Sequence, residues 1–385
     1  MLLGQDQTYI QADFEARLNR FMVRCLLGGR SVLAYLANPG RLWEILGPGR
    51  KLYLVPSPAS RKLPYTVVAA DIDGQPVLLH THWTNFYAEK LLSQQLVPGL
   101  EGWTLKKKEL PLDSSRFDFL LEGKEGLMAL EVKTCTLFAR HLAFFPDAVT
   151  DRGRRHLLTL DSLAQEPGWQ SAVLFVVWWP QARYFLPDFH TDWRFAQAFL
   201  ETRKRIHFSA IAIGLDHNLQ PDPRTLHPLT IPWSLLETEA RDSGAYILII
   251  EIDNYSVLRV GKRGDIEFPP GYYLYVGSAR RNLNSRLRRH QRQRKRTFWH
   301  IDYLLARAKL AQVLAIRTAS ALECPIALSL SQIAEPIPGF GASDCHCLSH
   351  LFFLPSDPRH FLPFVNVLHE FRYRRLEAML LGIGS

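Results

Sequence analysis

Cysteine and methionine are scarce in this chain, at five and four among 385 residues. The small, odd set of Cys25, Cys135, Cys324, Cys345 and Cys347 builds no disulfide framework, so a reducing compartment is expected. Long apolar runs are missing too. No stretch reaches the roughly 18 uninterrupted apolar residues of a membrane span, and the opening MLLGQDQTYI has neither the basic nor the long apolar region of a leader. The expectation is a soluble, cytoplasmic protein with no membrane partner. With 47% hydrophobic and 22% charged residues, the chain is neither mainly disordered nor collagen-like. Its length exceeds the roughly 250 to 300 residues at which single cores stop growing, so two or three domains are expected.

Acidic residues are what the last part of the chain lacks. Up to Ala240 there are 26 Lys or Arg against 25 Asp or Glu, and beyond it 20 against 12. Within that second part, Arg280 to Arg296 holds nine basic residues in 17 positions, including Arg292, Arg294 and Lys295, and no acid. A run of this kind attracts polyanions. The alternative is a solvated helix face, but nine like charges without a compensating acid repel one another. Arg280, Arg281, Arg288, Arg289 and His290 are therefore candidate DNA contacts.

The fold class expected is an α/β multidomain chain. Residues 1–82 read as short strands (Arg20 to Leu26, Ser31 to Leu36, Lys51 to Val55, Tyr65 to Ala70, Val77 to His80) broken by Gly and Pro, the pattern of a small β-barrel. Such a barrel binds oligonucleotides if it is of the OB type, or only packs against its neighbour. Residues 83–235 alternate helices (Asn85 to Leu96, capped at Asn85 or Thr84; Arg152 to Leu163; Trp193 to Arg205) with strands, which predicts an α/β domain with a mixed sheet. The proline-rich stretch Gln220 to Pro232 predicts a boundary. Residues 240–385 form the last domain, with a hairpin expected from Ala245 to Ile252 and Ser256 to Val260, and helices over the basic run.

Within the second domain, Asp118 falls on one strand and Glu131 with Lys133 on the next. Residues two apart on a strand face the same side, so Glu131 and Lys133 project together and Asp118 reaches them across the turn. Two carboxylates that hold Mg2+ or Mn2+, and an ammonium that steadies developing phosphate charge, are what metal-assisted phosphodiester cleavage requires. The alternative is a surface ion pair. The apolar residues beside these charges weigh against it, because charge next to a buried edge needs a partner or a metal.

Five blocks in order, Asn38–Gly40, Arg61–Thr66, Ser115–Leu121, Glu131–Lys133 and Phe145–His156, make the first 235 residues resemble the sugar fermentation stimulation protein A family (SfsA). The resemblance implies an N-terminal OB-like barrel, a nuclease domain of the PD-(D/E)xK type and DNA binding; the family is also described as a regulator of sugar fermentation genes. It implies Asp118, Glu131 and Lys133 as the catalytic trio, Asp118 and Glu131 as metal ligands with Glu89 as a further acid, and Asp151, Arg152, Arg155 and His156 at a helix start near the site. Arg152 and Arg155 become candidate phosphate contacts. Thr134 and Cys135 stand where the family commonly has Ser after the Glu-Val-Lys; Cys135 is read as a buried small hydrophobe.

In the last domain, Tyr246 and Tyr275 on Gly-flanked strands, Arg286 and Glu323 form a second constellation. A tyrosine takes a proton from water if cations depress its pKa, Arg clamps phosphate, and Glu323 would hold a hard metal ion. The alternative for the tyrosines is core packing. Gly244–Tyr246, Gly271–Ala279, Arg286–His290, Trp299–Leu305, Glu323–Cys324 and Gly339–Leu351 make this stretch look like a GIY-YIG nuclease, which implies a GIY-YIG-like α/β fold. Tyr246 to Tyr275 is 29 residues, longer than that fold's compact spacing. Cys324, Cys345, Cys347 and His350 have the ligand types of a structural Zn2+ site, yet C-x-C is tighter than usual zinc spacing. Buried structural cysteines are the alternative, with His300 and Asp302 as local partners.

The function expected is a metal-dependent DNA nuclease with Mg2+ or Mn2+ as cofactor. The alternative is a non-catalytic DNA-binding regulator of sugar metabolism genes. RNA is not excluded as the partner, and a homodimer stays open.

Overall fold

Strands interrupted by tight glycine turns begin the chain and close on themselves. The computed structural model describes residues 9–112, 115–292, 294 and 296–382, in two units, Met1–Pro232 and Trp233–Ser385. The first opens with β1 (Ile10–Asn19), β2 (Met22–Leu27), β3 (Arg30–Leu36), β4 (Lys51–Pro56), β5 (Tyr65–Ile72) and β6 (Gln75–Leu78). Their order is β3-β2-β1-β4-β5-β6, and β3 also pairs in parallel with β5. That extra pairing closes five strands into an OB-like barrel, which removes the free edges an open sheet would expose. Sequence reading missed β1, whose charged and polar outer positions dilute its alternation.

The chain continues through α1 (Thr81–Ser93), β7 (Thr104–Leu112), β8 (Ser115–Gly123), β9 (Gly126–Cys135), β10 (Leu137–Phe138), β11 (Leu142–Phe145), α2 (Asp151–Leu163), β12 (Trp169–Val177), β13 (Tyr184–Pro187), α3 (Trp193–Thr202), β14 (Ile206–Leu215) and β15 (Pro221–Pro228). A mixed sheet runs β15-β14-β12-β9-β8-β7, with β9, β12 and β14 parallel and the outer pairs antiparallel. Phe175 stacks on Phe185 at 4.2 Å, and Phe199 packs tilted against Phe208 at 4.1 Å, aromatic pairs worth about 0.5 to 1.5 kcal/mol each beyond their burial. Two details differ from expectation. The helix placed at Asn85 starts at Thr81, so Asn85 is an interior position and not a cap. Most of the proline-rich stretch is the edge strand β15, where prolines are tolerated because no outer neighbour needs their missing N–H.

The second unit holds α4 (Trp233–Glu239), β16 (Gly244–Ile252), β17 (Ser256–Arg259), β18 (Asp265–Phe268), β19 (Gly271–Ala279), α5 (Leu283–Gln291), α6 (His300–Leu305), β20 (Lys309–Arg317), α7 (Glu323–Leu330), β21 (Glu335–Pro336), β22 (Leu351–Leu354), α8 (Leu362–His369) and α9 (Arg375–Leu381). Its antiparallel sheet runs β20-β16-β19-β22-β21. The expected hairpin is not formed: β16 lies between β19 and β20, and β17 pairs with β18 instead. The small β17–β18 ribbon is an excursion between adjacent strands, which accounts for the long separation of Tyr246 and Tyr275. Among the described residues, no helix is long and apolar enough to cross a membrane.

Candidate functional site

Two antiparallel strands bring the acidic groups of the first unit together. The β8–β9 ladder runs to the Phe119–Leu130 pair and stops one residue short of Asp118 and Glu131. There Asp118 Oδ2 accepts the Val132 amide at 2.7 Å, while Oδ1 accepts from Asn85 Nδ2 of α1 at 2.6 Å. Strand alternation turns Glu131 and Lys133 to one side and buries Val132 on the other. Lys133 Nζ and His156 Nδ1 both meet Glu131 Oε1, the histidine at 2.8 Å. His156 is delivered by α2, whose start is capped by Thr150 accepting from the Gly153 amide at 2.9 Å. Arg152 Nε donates to His156 Nε2 at 3.3 Å, which leaves His156 Nδ1 to carry the proton facing Glu131.

Glu131 is 4% exposed, and its Oε2 has no hydrogen-bond partner among the described residues. Burial, then the charge of Glu131, pushes the Asp118 carboxyl up to about 6 against the pull of the Val132 amide and Lys133. Burial acts on Glu131 as well, but Lys133 and His156 outweigh it and hold that carboxyl below its ordinary value. A sealed, partnerless oxygen beside a second carboxylate is the hard-oxygen donor set that a divalent cation satisfies. These residues fit Mg2+ or Mn2+.

Of the other residues expected here, Glu89 lies one turn beyond Asn85 on α1 and is paired with Lys108 Nζ at 2.6 Å, so ligation by it would require that pair to open. Asp151, Arg152 and Arg155 are exposed on the first turns of α2. Cys135 is buried, and burial raises its thiol well above the ordinary value. Asn85 is the contributor that sequence reading took for a helix cap; its spacing from Asp118 carried no signal.

In the second unit Tyr246 sits opposite Gly277 and Tyr275 opposite Leu248, so both rings lie on one face, with centroids 6.4 Å apart. A Cβ on Gly277 would fall 2.4 Å from the Tyr246 hydroxyl, so only glycine lets the ring lie there. Tyr246, Tyr275, Arg286, Trp299, His300 and Glu323 line a cavity of about 360 Å³. Arg286 donates from Nη1 to the Ser278 carbonyl at 2.8 Å and lies 4.6 Å above the Trp299 ring. Glu323 Oε2 accepts from Ser278 Oγ, and Oε1 lies 3.3 Å from His350 Nδ1.

The arginine-rich setting predicts a depressed tyrosine pKa, but burial raises both Tyr246 and Tyr275 and the nearby Arg286 does not reverse it. Neither is a ready phenolate at neutral pH. His290 is 2% exposed and its Nε2 lies 2.9 Å from the Tyr246 hydroxyl, so it is interior and not a surface contact. Arg289 makes a two-pronged pair with Asp302, at 3.0 and 2.8 Å, and stacks 4.2 Å over Trp299; it braces α5 against α6. Asp302 also accepts the Phe298 and Trp299 amides at 3.0 Å, which makes it a helix-start anchor and not a partner of the cysteines. Arg280, Arg281, Arg288, Arg292, Arg294 and Arg296 are exposed, while Lys295 lies outside the described residues.

Cys324, Cys345, Cys347 and His350 do come together: their ligand atoms all lie within 4.8 Å of one another. All the cysteines are free thiols. His300 packs edge-on to Phe340 at 6.0 Å and lines the cavity instead.

Comparison with known proteins matches residues 16–79 to the SfsA N-terminal OB domain, 82–218 to the sugar fermentation stimulation protein RE domain, and 245–372 to the domain of unknown function DUF123. The sugar fermentation stimulation protein homolog of Methanothermobacter thermautotrophicus is 36% identical over 205 residues, 53% of this chain and 83% of that protein. The homolog of Moorella thermoacetica is 38% identical, over 54% of this chain and 93% of its own length. The structure of Pyrococcus furiosus SfsA in complex with Ca2+ is 27% identical with a TM-score of 0.55, covering 60% of this chain and 99% of that one. With the closed barrel, the mixed-sheet domain and these relatives in agreement, this chain belongs to the sugar fermentation stimulation protein family.

Proposed function

We propose that the first unit binds nucleic acid and hydrolyses phosphodiester bonds with a divalent cation at Asp118 and Glu131. The observation that carries this reading is the meeting of two carboxylates, Lys133 and His156, with Glu131 Oε2 sealed and partnerless among the described residues. Mg2+ or Mn2+ held there would lower the pKa of bound water and neutralise phosphate charge. Asp118 and Glu131 supply the oxygen ligands. Asn85 and the Val132 amide hold Asp118 in one orientation, and Arg152 holds His156 in the tautomer that donates to Glu131. Lys133 brings its ammonium to the same opening and can stabilise a developing phosphorane. Exposed Arg152 and Arg155 at the start of α2 supply phosphate contacts, and the OB-like barrel supplies a surface for the strand. That a family relative of known structure is a Ca2+ complex supports a hard-cation site.

The second unit is read as a GIY-YIG-like nucleic-acid module. Arg286 would bind phosphate in the cavity, Tyr246 and Tyr275 would donate hydrogen bonds as neutral phenols, and Glu323 would carry the negative charge. Exposed Arg280, Arg281 and Arg288 would add salt-dependent affinity.

A second reading draws more support from the comparisons: a DNA-binding regulator of sugar metabolism genes that does not cleave. The relatives are described by stimulation of sugar fermentation. Digestion of single-stranded, duplex and branched substrates by wild type, Asp118→Ala and Glu323→Ala, with Mg2+ and with Mn2+, separates the two. Cleavage lost in Asp118→Ala with binding unchanged supports the hydrolase; binding by the wild type without cleavage under either ion supports the regulator.

A further inference from the structure

The four soft ligands of the second unit reach the cavity through one side chain. Cys324 is the second residue of α7, while Cys345, Cys347 and His350 lie on the segment leading into β22. His350 is 2% exposed and is fixed by its backbone: its amide donates to the Phe340 carbonyl at 2.7 Å, and its carbonyl accepts the Val276 amide at 2.9 Å. Its ring then has two faces with different neighbours. Nε2 lies 3.4 Å from Cys345 Sγ, and Nδ1 lies 3.3 Å from Glu323 Oε1. The Nδ1 contact is not aligned as a formed hydrogen bond, and that nitrogen has no hydrogen-bond partner among the described residues.

We propose that Cys324, Cys345, Cys347 and His350 Nε2 hold one tetrahedral Zn2+, and that His350 transmits its presence to Glu323 by donating from Nδ1. Three thiolates and an imidazole are a soft donor set that Mg2+ and Mn2+ do not take and Zn2+ does. Zn–S bonds of about 2.3 Å and Zn–N bonds of about 2.0 Å set tetrahedral edges of about 3.8 Å between sulfurs and about 3.5 Å between sulfur and nitrogen. The Cys345–His350 distance of 3.4 Å already has that value, and the remaining separations, all within 4.8 Å, close by small rotations of the exposed Cys324 and half-buried Cys345 and Cys347 side chains. Metal at Nε2 leaves Nδ1 as the only ring nitrogen able to carry the proton, and Glu323 Oε1 is the acceptor facing it. Glu323 is then held between Ser278 and His350, with its carboxylate turned into the cavity beside Arg286. A metal ligand oriented by a carboxylate couples ion affinity to that carboxylate. Glu323 is thus a positioning residue for the zinc, and the zinc for Glu323.

The test uses the full chain and reads metal, not hydrolysis, so it stands or falls separately from the nuclease reading. Elemental analysis of purified wild type and of Asp118→Asn should each find one zinc per chain, and Cys345→Ser/Cys347→Ser should find none. Should the cysteine variant fail to fold, wild type reconstituted with Co2+ decides: intense visible ligand-field bands with near-ultraviolet thiolate charge transfer support the site, and a weak octahedral spectrum overturns it. Zinc retained by the folded cysteine variant, or a wild type that takes up neither ion, also overturns it. For the link to Glu323, competition with a chromogenic chelator should show zinc affinity about 10- to 100-fold weaker in Glu323→Ala, with Glu323→Gln, which keeps an acceptor oxygen, close to wild type. An unchanged affinity in Glu323→Ala would sink the link.

Discussion

Asp118 Oδ2 takes the Val132 amide at 2.7 Å at the point where the β8–β9 ladder ends. One carboxylate thus completes a sheet and faces a second carboxylate. Asp118→Ala leaves a buried amide unpaired, which costs about 1 to 3 kcal/mol, whereas Asp118→Asn keeps an acceptor there. Denaturant melts should therefore show a loss only for Ala, while divalent-ion binding by calorimetry should fail in both. If Asp118→Asn binds Mn2+ as the wild type does, the carboxylate is not a ligand.

His156 touches Glu131 Oε1 at 2.8 Å and is itself held by Arg152. Removing a group that orients a ligand lowers ion affinity by about 10- to 100-fold. His156→Ala should weaken Mn2+ binding on that scale while exposed Arg155→Ala leaves it unchanged; the check is an isotherm for each variant.

Asp147 supplies a pH-dependent contribution to stability. Part of the residue reaches solvent, but its Oδ2 is sealed and without a hydrogen-bond partner among the described residues, and burial pushes the carboxyl up to about 6, with Arg41 and Arg17 opposing. The unfolded carboxyl titrates near about 3.9, so the folded state binds this proton more tightly. The contribution is fully present below about pH 4 and is lost as pH rises towards 6. Asp147→Asn should therefore gain stability relative to wild type across that window, by on the order of 1 to 2 kcal/mol once screening is allowed for. Urea melts at pH 4 and pH 7 measure it, and a constant difference between the two proteins would contradict the assignment.

Arginines of the basic run should separate into two classes. Arg280, Arg281 and Arg288 are exposed, whereas Arg289 is locked to Asp302, which is 1% exposed. Each of Arg280→Ala, Arg281→Ala and Arg288→Ala should lower the salt dependence of DNA affinity by about one counterion with little change in melting. Arg289→Ala should instead destabilise the unit by about 2 kcal/mol, because it removes two charge-assisted hydrogen bonds to a buried carboxylate. Equal melting temperatures for Arg288→Ala and Arg289→Ala would refute this division.

Legibility followed the range of the interaction. Glu131 and Lys133 sit two apart, and strand alternation alone turns them to the same side; the hairpin with Asp118 follows from the glycine turn between Gly123 and Gly126. The closely spaced Cys345, Cys347 and His350 were likewise readable as a ligand pattern. Asn85, His290 and Arg289 were not, because their roles depend on partners brought near by folding: Asp118 from a neighbouring strand, Tyr246 from strand β16 and Asp302 from the next helix.

The alternation of strands and helices in the second domain, the acid-poor basic run and the family motifs are properties of local pattern and composition, and the chain determines them without its fold. Burial is different, because it depends on which surfaces meet. That is why an arginine-rich neighbourhood predicts easily ionised tyrosines, while the tertiary structure seals Tyr246 against Gly277 and pushes its pKa the other way. Only the folded chain decides which charges face water, which face each other, and whether Cys324 joins the cysteines that lie some twenty residues beyond it.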